Sequence, residues 1–476
     1  MKKIGKNILY NLAYQILAII LPLITAPYLS RVIGPTGVGI YSFSHSVALY
    51  FTYFTLLGLT NYGNRAIAAV QADIEERSKQ FCEIYAMQLL CFAGSMLAYL
   101  LYSFFLSKDI TAALLMILTV ASSALDINWF FFGMEEFKLT VIRNAIIKII
   151  SFISIFVFVR DSGDIYIYIA IMSVSALLSQ ILLWPFLRNR IRFRMPTWKG
   201  IVRHFKPNLI LFVPVIAVSV YKLMDKLFLG YMAAMDQVGF YENAERIITI
   251  AATVITAIGT VMLPRMSSMK ANNLEAESNR YLDNTMLGVL AYTNAVMFGI
   301  FAVANEFAVT YYGNDFKQTG VLMCYLAVTV LFLGCGNVVR TQYLIPQKRD
   351  GIYLRSAILG AVVNCVLNSI LIPLLSSTGA AIGTICAEFA VCFYQMYAVR
   401  QALHIRRYLR WECVFGLIGG IMYFVVRSIP HIGTNTTSLL IHIVSGAAVY
   451  LALAGVYVFK IEHVEIPALN KLLKKQ

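Results

Sequence analysis

The feature that most constrains this chain is a succession of about fourteen apolar stretches, each close in length to a helix that crosses a bilayer. About 20 apolar residues span the hydrocarbon core as a helix, and irregular backbone is not tolerated against lipid. The stretches lie near 7–30, 38–63, 80–106, 110–133, 140–160, 165–187, 207–232, 239–263, 284–305, 319–345, 352–375, 379–400, 411–429 and 438–460. They predict an all-α polytopic membrane protein with about 14 transmembrane helices.

The composition supports this class. Hydrophobic residues make up 59% of the 476 residues and charged residues 13%, against roughly 45–50% and about 25% in soluble domains. A soluble chain would have too few polar groups to cover its surface. The first stretch is longer than the apolar core of a cleavable signal peptide, so we expect it to be retained as a membrane anchor.

Basic residues are distributed very unevenly between the two sides of the predicted topology. With the N-terminus in the cytoplasm, 30 of the 39 Lys and Arg residues fall on the inner side and five on the outer side. Seven of them lie in the segment 188–206, which contains no acidic residue. Because cytoplasmic loops are enriched in Lys and Arg, both termini are predicted to be cytoplasmic in a bacterial cell membrane. The net charge of +15 is then explained without a nucleic-acid partner.

The sequence also contains an internal repeat. The pattern VGIY at 38–41 recurs as VGFY at 238–241, and the same shift of 200 relates Arg65 to Arg265. A further match, with a small insertion, relates RNAII at 143–147 to RSAIL at 355–359. Each repeat spans six helices, an even number, so both copies begin on the same membrane face. The pattern predicts two parallel six-helix lobes around a central cavity.

The repeat also predicts the domain organisation. We expect an N-terminal six-helix lobe at 1–187, a basic cytoplasmic linker at 188–206 and a C-terminal six-helix lobe at 207–400. Helices 13 and 14 and a cytoplasmic tail occupy 401–476.

Three segments resemble a known family. They are PYLSRVIGPTGVGIYSF at 27–43, DKLFLGY at 225–231 and VGFYENAERI at 238–247. They are similar to the polysaccharide-unit (Wzx-type) flippases of the multidrug/oligosaccharidyl-lipid/polysaccharide exporter superfamily. The resemblance implies a transporter that moves undecaprenyl-pyrophosphate-linked oligosaccharides from the inner to the outer leaflet by alternating access. The implied product is a surface polysaccharide such as capsule, exopolysaccharide or O-antigen. The lipid-linked glycan, membrane lipids, a polymerase and glycosyltransferases are the implied partners.

Such a transporter needs a wet cavity with cationic and hydrogen-bonding walls, because a diphosphate and sugars lose hydration in hydrocarbon. Lys148 and Asp126 are predicted to lie at one depth on a helical hairpin, either as a mutual ion pair or with Lys148 as a cation for the diphosphate. The further cavity candidates are Arg31, His45, Asn128, Asn337 and Asn364. Arg31 equally fits an interfacial arginine, and His45 fits a buried structural histidine.

A charged cluster flanks the predicted outer turn between the seventh and eighth stretches. It consists of Lys222, Asp225, Lys226, Glu242, Glu245 and Arg246. Three cations and three acids cancel, so the cluster fits a structural network as well as a gate or ion-coupling site, with Asp225 as the candidate ion carrier. Glu388, in the middle of the twelfth stretch, is a second candidate for proton coupling.

Other functions are compatible with parts of this pattern. A peptidoglycan-precursor flippase or a cation-coupled multidrug exporter would share the fold. A polysaccharide polymerase or glycosyltransferase is an alternative of a different class, but it would need a long outer loop or a soluble catalytic domain. The sequence contains no catalytic set or nucleotide-binding loop, and its eight cysteines follow no metal-binding spacing. We therefore expect a protein that is not an enzyme and has no cofactor or metal.

Overall fold

A computed structural model describes the backbone of residues 2–462. Side chains are described within that range except those of residues 2–16, 214, 217, 218, 220–222 and 461. The prediction for the side chain of Lys222 therefore lies outside the described residues.

The described chain is helical and divides into two compact units, Met1–Gly239 and Phe240–Gln476. The helices of the first unit are α1 (Lys2–Leu56), α2 (Leu59–Ala69), α3 (Ile74–Phe105), α4 (Ile110–Ala124), α5 (Asn128–Gly133), α6 (Phe137–Phe158), α7 (Ile165–Ile181), α8 (Trp198–Arg203) and α9 (Phe205–Met232). The chain continues through α10 (Met235–Ala271), α11 (Glu275–Tyr312), α12 (Lys317–Val339), α13 (Asp350–Ala398), α14 (Ile405–Ser428) and α15 (Asn435–Val456).

Eleven helical stretches of the described chain are long and apolar enough to cross a membrane. The predicted class, an all-helical multi-pass membrane protein, is confirmed. The count of eleven is lower than the fourteen stretches of the sequence partly because α1 and α13 are each counted once, although each contains a sharp break. Gly34 interrupts α1 with a φ of 66°, and Ser376 interrupts α13 with a φ of 51°. Each break falls between two of the predicted apolar stretches, and the 28-residue α9 covers a further one.

In the first unit, α1 packs against α3, α4, α6 and α9. The two copies of the VGxY pattern approach each other here at their glycines. A Cβ atom on Gly39 would lie 1.7 Å from the carbonyl oxygen of Met235, and one on Gly239 would lie 2.0 Å from that of Pro35. The shift of 200 relates Pro35 to Met235 as it relates Gly39 to Gly239. The crossing is therefore reciprocal, and its spacing requires glycine in both copies.

A compact aromatic core lies in the same unit and joins α2, α3, α5 and α8. Phe81, Phe130 and Phe131 are fully buried, and Trp129 is 2% exposed. The indole nitrogen of Trp129 donates to Gln88 Oε1 at 3.1 Å. This core fixes the helix ends around which the polar groups described below are arranged.

In the second unit, α11 packs against α12, α14 and α15. Trp411 and Phe415 of α14 are buried in the core of this unit. Asn294 of α11 donates to Glu412 of α14 at 2.8 Å. A half-buried carboxylate is thus held by an amide donor, which reduces the cost of its partial burial.

Candidate substrate-binding residues

Asp126 lies in a helix break that the sequence pattern does not predict. The fourth apolar stretch is divided into α4, which ends at Ala124, and the short α5, which begins at Asn128. Asp126 Oδ1 accepts from the Asn128 backbone nitrogen at 2.9 Å and from its side-chain nitrogen at 2.7 Å. The Asp126 carbonyl oxygen accepts from Gln88 Nε2 at 2.9 Å. Two predicted cavity residues, Asp126 and Asn128, are thus in direct contact.

Arg143 joins this pair, although the sequence pattern places it among the loop cations. Its side chain is buried and donates to Asn128 Oδ1 at 3.0 Å and to Asn144 Oδ1 at 2.7 Å. It also donates to Gln180 Oε1 at 3.3 Å. A buried guanidinium whose two Nη atoms donate to these oxygens organises polar groups from α5, α6 and α7. The repeat match that begins at Arg143 is the sequence signal that could have identified it.

The other candidates of the first unit are spread along their helices. His45 is half-buried in α1 and stacks on Tyr41, with ring centroids 5.4 Å apart. Arg31 is exposed on the same helix, and Lys148 is half-buried on α6. On α9, Asp225 is buried and Lys226 half-buried. All five remain candidates.

Glu242 and Arg246 form a salt bridge on α10, with Arg246 Nη2 3.0 Å from Glu242 Oε1. Both side chains are partly buried, and Glu245, on the same helix, is half-buried. An i,i+4 pair of this kind stabilises a helix modestly. Part of the predicted outer cluster is thus internally neutralised within one helix.

The remaining candidates lie on α12 and α13. Asn337, Asn364 and Glu388 are all buried. Asn368 Nδ2 donates to Asn364 Oδ1 at 3.1 Å, and the Asn337 carbonyl oxygen accepts from the Thr341 hydroxyl at 2.8 Å. Ionisable and amide side chains buried inside apolar helices are costly, which is why they point to function.

The first unit also contains a cavity of about 640 Å³ that the sequence pattern does not predict. Tyr62 and Arg65 of α2, Gln80 of α3, and Arg203 and His204 at the junction of α8 and α9 line it. The sequence pattern uses Arg203 only as a topology-determining cation, and Arg65 as such a cation and as the repeat equivalent of Arg265.

A buried hydrogen-bond chain forms one wall of the cavity. His204 Nδ1 lies 2.5 Å from Tyr62 Oη, and His204 Nε2 lies 3.2 Å from Glu83 Oε2. A carboxylate only accepts, so Nε2 carries the imidazole proton and Tyr62 donates to Nδ1. Arg203 Nη2 lies 2.5 Å from Glu83 Oε2. Burial lowers the pKa of His204, and the charge of Arg203 lowers it further, against the opposing hydrogen bond to Glu83. His204 is therefore neutral at pH 7.

An all-helical fold of long apolar helices is that of a polytopic membrane protein, and the ionisable side chains buried in those helices mark a functional site. Residues 4–270 match the family model described as "Polysaccharide biosynthesis protein". The match spans more than half of the chain, which belongs to this family. This match, together with the relatives described next, which are named as a transporter and a flippase, confirms the resemblance to the polysaccharide-unit flippases and the prediction that the protein is not an enzyme.

Relatives and solved structures agree with this family. A protein of Shigella dysenteriae named as an O-antigen transporter is 24% identical over 417 residues, which cover 83% of this chain and 100% of the relative. Agl15 of Haloferax volcanii, named as a low-salt glycan biosynthesis flippase, is 24% identical over 221 residues, 46% of each chain. The solved structure of the lipid II flippase MurJ, in an inward closed conformation, superposes with a TM-score of 0.75 at 17% identity. It covers 95% of this chain and 99% of MurJ, and at this identity the likeness concerns the fold alone.

Proposed function

We propose that this protein moves undecaprenyl-pyrophosphate-linked oligosaccharides from the inner to the outer leaflet of a bacterial cell membrane by alternating access. The family match supports a role in polysaccharide biosynthesis, and the names of both relatives support transport of a glycan. The product is a surface polymer such as capsule, exopolysaccharide or O-antigen. A polymerase and glycosyltransferases of the same pathway are the proposed partners.

The proposed topology has fourteen crossings and both termini in the cytoplasm. The breaks at Gly34 and Ser376 support two crossings in each of α1 and α13, and α9 is long enough for one more. Two parallel lobes at 1–187 and 207–400 flank the basic linker 188–206. The last two crossings lie in 401–476.

The observation that carries the mechanism is the reciprocal crossing of Gly39 and Gly239. Two duplicated lobes related by a two-fold axis bring equivalent residues together on that axis. Gly39 faces the carbonyl oxygen of Met235, and Gly239 faces that of Pro35. Met235 and Pro35 are themselves equivalent positions of the repeat. This supports a closed crossing between α1 and the start of α10 at one membrane face. Separating it would open that face to the substrate.

The polar candidates divide into two roles. We propose that the diphosphate and sugars are bound by Lys148, Asp126, Arg31, His45, Asn128, Asn337 and Asn364. Gating or ion coupling is proposed for Lys222, Asp225, Lys226, Glu242, Glu245, Arg246 and Glu388. The buried positions of Asp225 and Glu388 support their assignment, because carboxylates within transmembrane helices are energetically costly and mark functional sites.

The membrane potential favours the proposed direction. Moving negative charge outward across an inside-negative membrane is favourable by about 2.3 kcal/mol per charge per 100 mV. A dianionic headgroup therefore gains roughly twice that amount per 100 mV. The step is downhill without a coupling ion, and Asp225 and Glu388 would add to this drive.

Deletion of the gene in its own host tests the function. The lipid-linked oligosaccharide should accumulate on the inner leaflet while the surface polymer disappears, and a plasmid copy should reverse both effects. Extracted lipid-linked sugars and surface polymer are measured in parallel. Normal polymer export in the deletion strain would contradict the proposal.

The likeness in fold to a lipid II flippase favours a second candidate, transport of a peptidoglycan precursor. Expression in a strain depleted of its own lipid II flippase separates the two. Restored growth would support the second candidate, whereas the proposed function predicts no rescue. A change in drug sensitivity on deletion, without loss of polymer, would instead indicate a multidrug exporter.

A further inference from the structure

We propose that the cavity lined by α2, α3 and the α8–α9 junction binds a phosphoryl group, with Arg65 and Arg203 as its cationic ligands. The inference deepens the proposed function and rests on it for the natural ligand. It gives the diphosphate headgroup a first binding site at the basic end of the helices, separate from the candidates within the spans.

The charge of the cavity suits an anion. Arg65 and Arg203 contribute two positive charges, Glu83 contributes one negative charge, and His204 is neutral, so these groups leave a net charge of +1. Arg203 is 45% exposed, uses Nη2 on Glu83 and has Nε 3.4 Å from His204 Nε2. A guanidinium has five N–H donors, so most donors of Arg203 remain available to a ligand. Planar guanidinium groups match phosphate oxygens in pairs.

A comparison of the two repeats sets Arg65 apart from its equivalent. Arg265, 200 positions later, lies over the ring of Tyr281 with 3.8 Å between the guanidinium carbon and the ring centroid. It also donates to the Tyr281 hydroxyl. Arg65 is exposed and makes no hydrogen bond or ion pair within the described part of the chain. The arginine at this repeat position is thus bound by a tyrosine of the protein in the second repeat, whereas in the first repeat it faces a cavity.

Arg203 is fixed by a buried carboxylate on the side away from the cavity. Glu83 is 3% exposed, and its carboxylate accepts from both Arg203 and His204. A Cβ atom at Gly200 would lie 2.2 Å from Glu83 Oε1, so the carboxylate fits only because residue 200 is glycine. Tyr62, His204 and Glu83 are therefore positioning residues that fix Arg203 at the cavity wall. A site fixed in advance loses less entropy when its ligand binds.

The size of the cavity is also suitable. A volume of about 640 Å³ lies within the roughly 300–1,000 Å³ of ligand pockets. Ala66 and Ala69 contribute only methyl groups to the lining. The space therefore accommodates a diphosphate together with the first part of a group attached to it.

Binding of farnesyl pyrophosphate to the purified full-length protein in phosphatidylcholine nanodiscs tests the site. Arg65→Gln should raise the Kd at least tenfold, whereas Arg65→Lys should raise it less because the charge is kept. Arg192→Gln is the matched control, because Arg192 pairs with Glu75 and is 69% exposed. Its Kd should equal that of the wild type. Arg203→Gln should weaken binding as Arg65→Gln does, and the melting temperature identifies any loss of folding.

Nanodiscs that contain phosphatidylglycerol distinguish the two sources of the phosphoryl group. If this lipid leaves probe binding unchanged, the ligand is the diphosphate of a lipid-linked substrate. If phosphatidylglycerol displaces farnesyl pyrophosphate from the wild type, and binding of both molecules depends on Arg65, the site binds a phosphoryl group. Its occupant is then a phospholipid headgroup. Wild-type affinity in folded Arg65→Gln and Arg203→Gln would overturn the proposal. A deletion strain that exports polymer normally would defeat the proposed function while leaving this binding result intact.

Discussion

Gly39 and Gly239 pack backbone to backbone, with each glycine placed where a side chain would meet the other's main chain. A Cβ atom on Gly39 would lie 3.1 Å from the nitrogen of Gly239, and one on Gly239 would lie 3.2 Å from the nitrogen of Gly39. Contacts to the carbonyl oxygens of Met235 and Pro35 are closer still. A methyl group at either position would force the backbones apart.

The first prediction concerns this crossing. Gly39→Ala should reduce surface polymer at least tenfold without loss of protein from the membrane, because the added methyl group cannot be accommodated at the closed crossing. Gly239→Ala should have the same effect. Gly94→Ala is the control, since no atom lies within 4 Å of a Cβ at that position. Wild-type export in both variants would contradict the proposed gate.

The second prediction concerns Lys148, which is half-buried on α6. Lys148→Gln should lower export of the surface polymer several-fold, because the dianionic headgroup loses a cation within the span. Membrane abundance should stay normal. Lys79→Gln serves as the control, because Lys79 is exposed beside Glu76. Unchanged export in the Lys148 variant would remove this residue from the substrate site.

The third prediction concerns the stability of the first unit. Arg143→Gln should lower the melting temperature of the detergent-solubilised protein, because Asn128 and Gln180 lose a buried donor. An unsatisfied buried polar group costs about 1–3 kcal/mol. Arg188→Gln, on an exposed residue, should leave the melting temperature unchanged. Equal melting of the two variants would show that the network contributes nothing measurable.

The fourth prediction is a pH dependence at Glu462. Its carboxylate accepts from Arg407 at 3.2 Å and from Tyr457 at 3.0 Å, and it also pairs with Arg410. Burial raises the pKa of Glu462, but the hydrogen bonds from these groups outweigh it and lower the pKa to about 2.

Because the pKa is lower in the folded state, Glu462 contributes its full stabilisation above the ordinary carboxyl pKa. That contribution is lost as the pH falls from the ordinary value of 4.5 to about 2. The melting-temperature difference between the wild type and Glu462→Gln should be largest near neutral pH and should shrink between pH 5 and 3. A difference independent of pH would show that the carboxylate charge is not the cause.

The membrane class could be predicted from sequence because long apolar stretches have one stable solution in lipid, a helix. The number of helices was harder to predict than the membrane class. The fourth stretch reads as one continuous helix, since hydropathy does not register the local hydrogen bonds that Asp126 accepts from Asn128 at the break. The Asp-x-Asn spacing was the only local sign of this break.

The candidate site was less predictable than the fold. Charge counting treats every arginine near a helix end as a topology signal, so Arg143, Arg65 and Arg203 received no individual role. Their roles depend on which side chains from distant parts of the sequence surround them. Glu83 and His204, which are 121 positions apart, meet only after the helices have packed.

The glycine crossing has a consequence for how this sequence can change over generations. A larger residue at 39 would collide with the main chain near 239, and a larger residue at 239 would collide with the main chain near 39. Neither position can therefore change from glycine, even when the other is unchanged. Both halves of the duplicated chain must therefore keep glycine at this crossing, whatever happens to the residues around it.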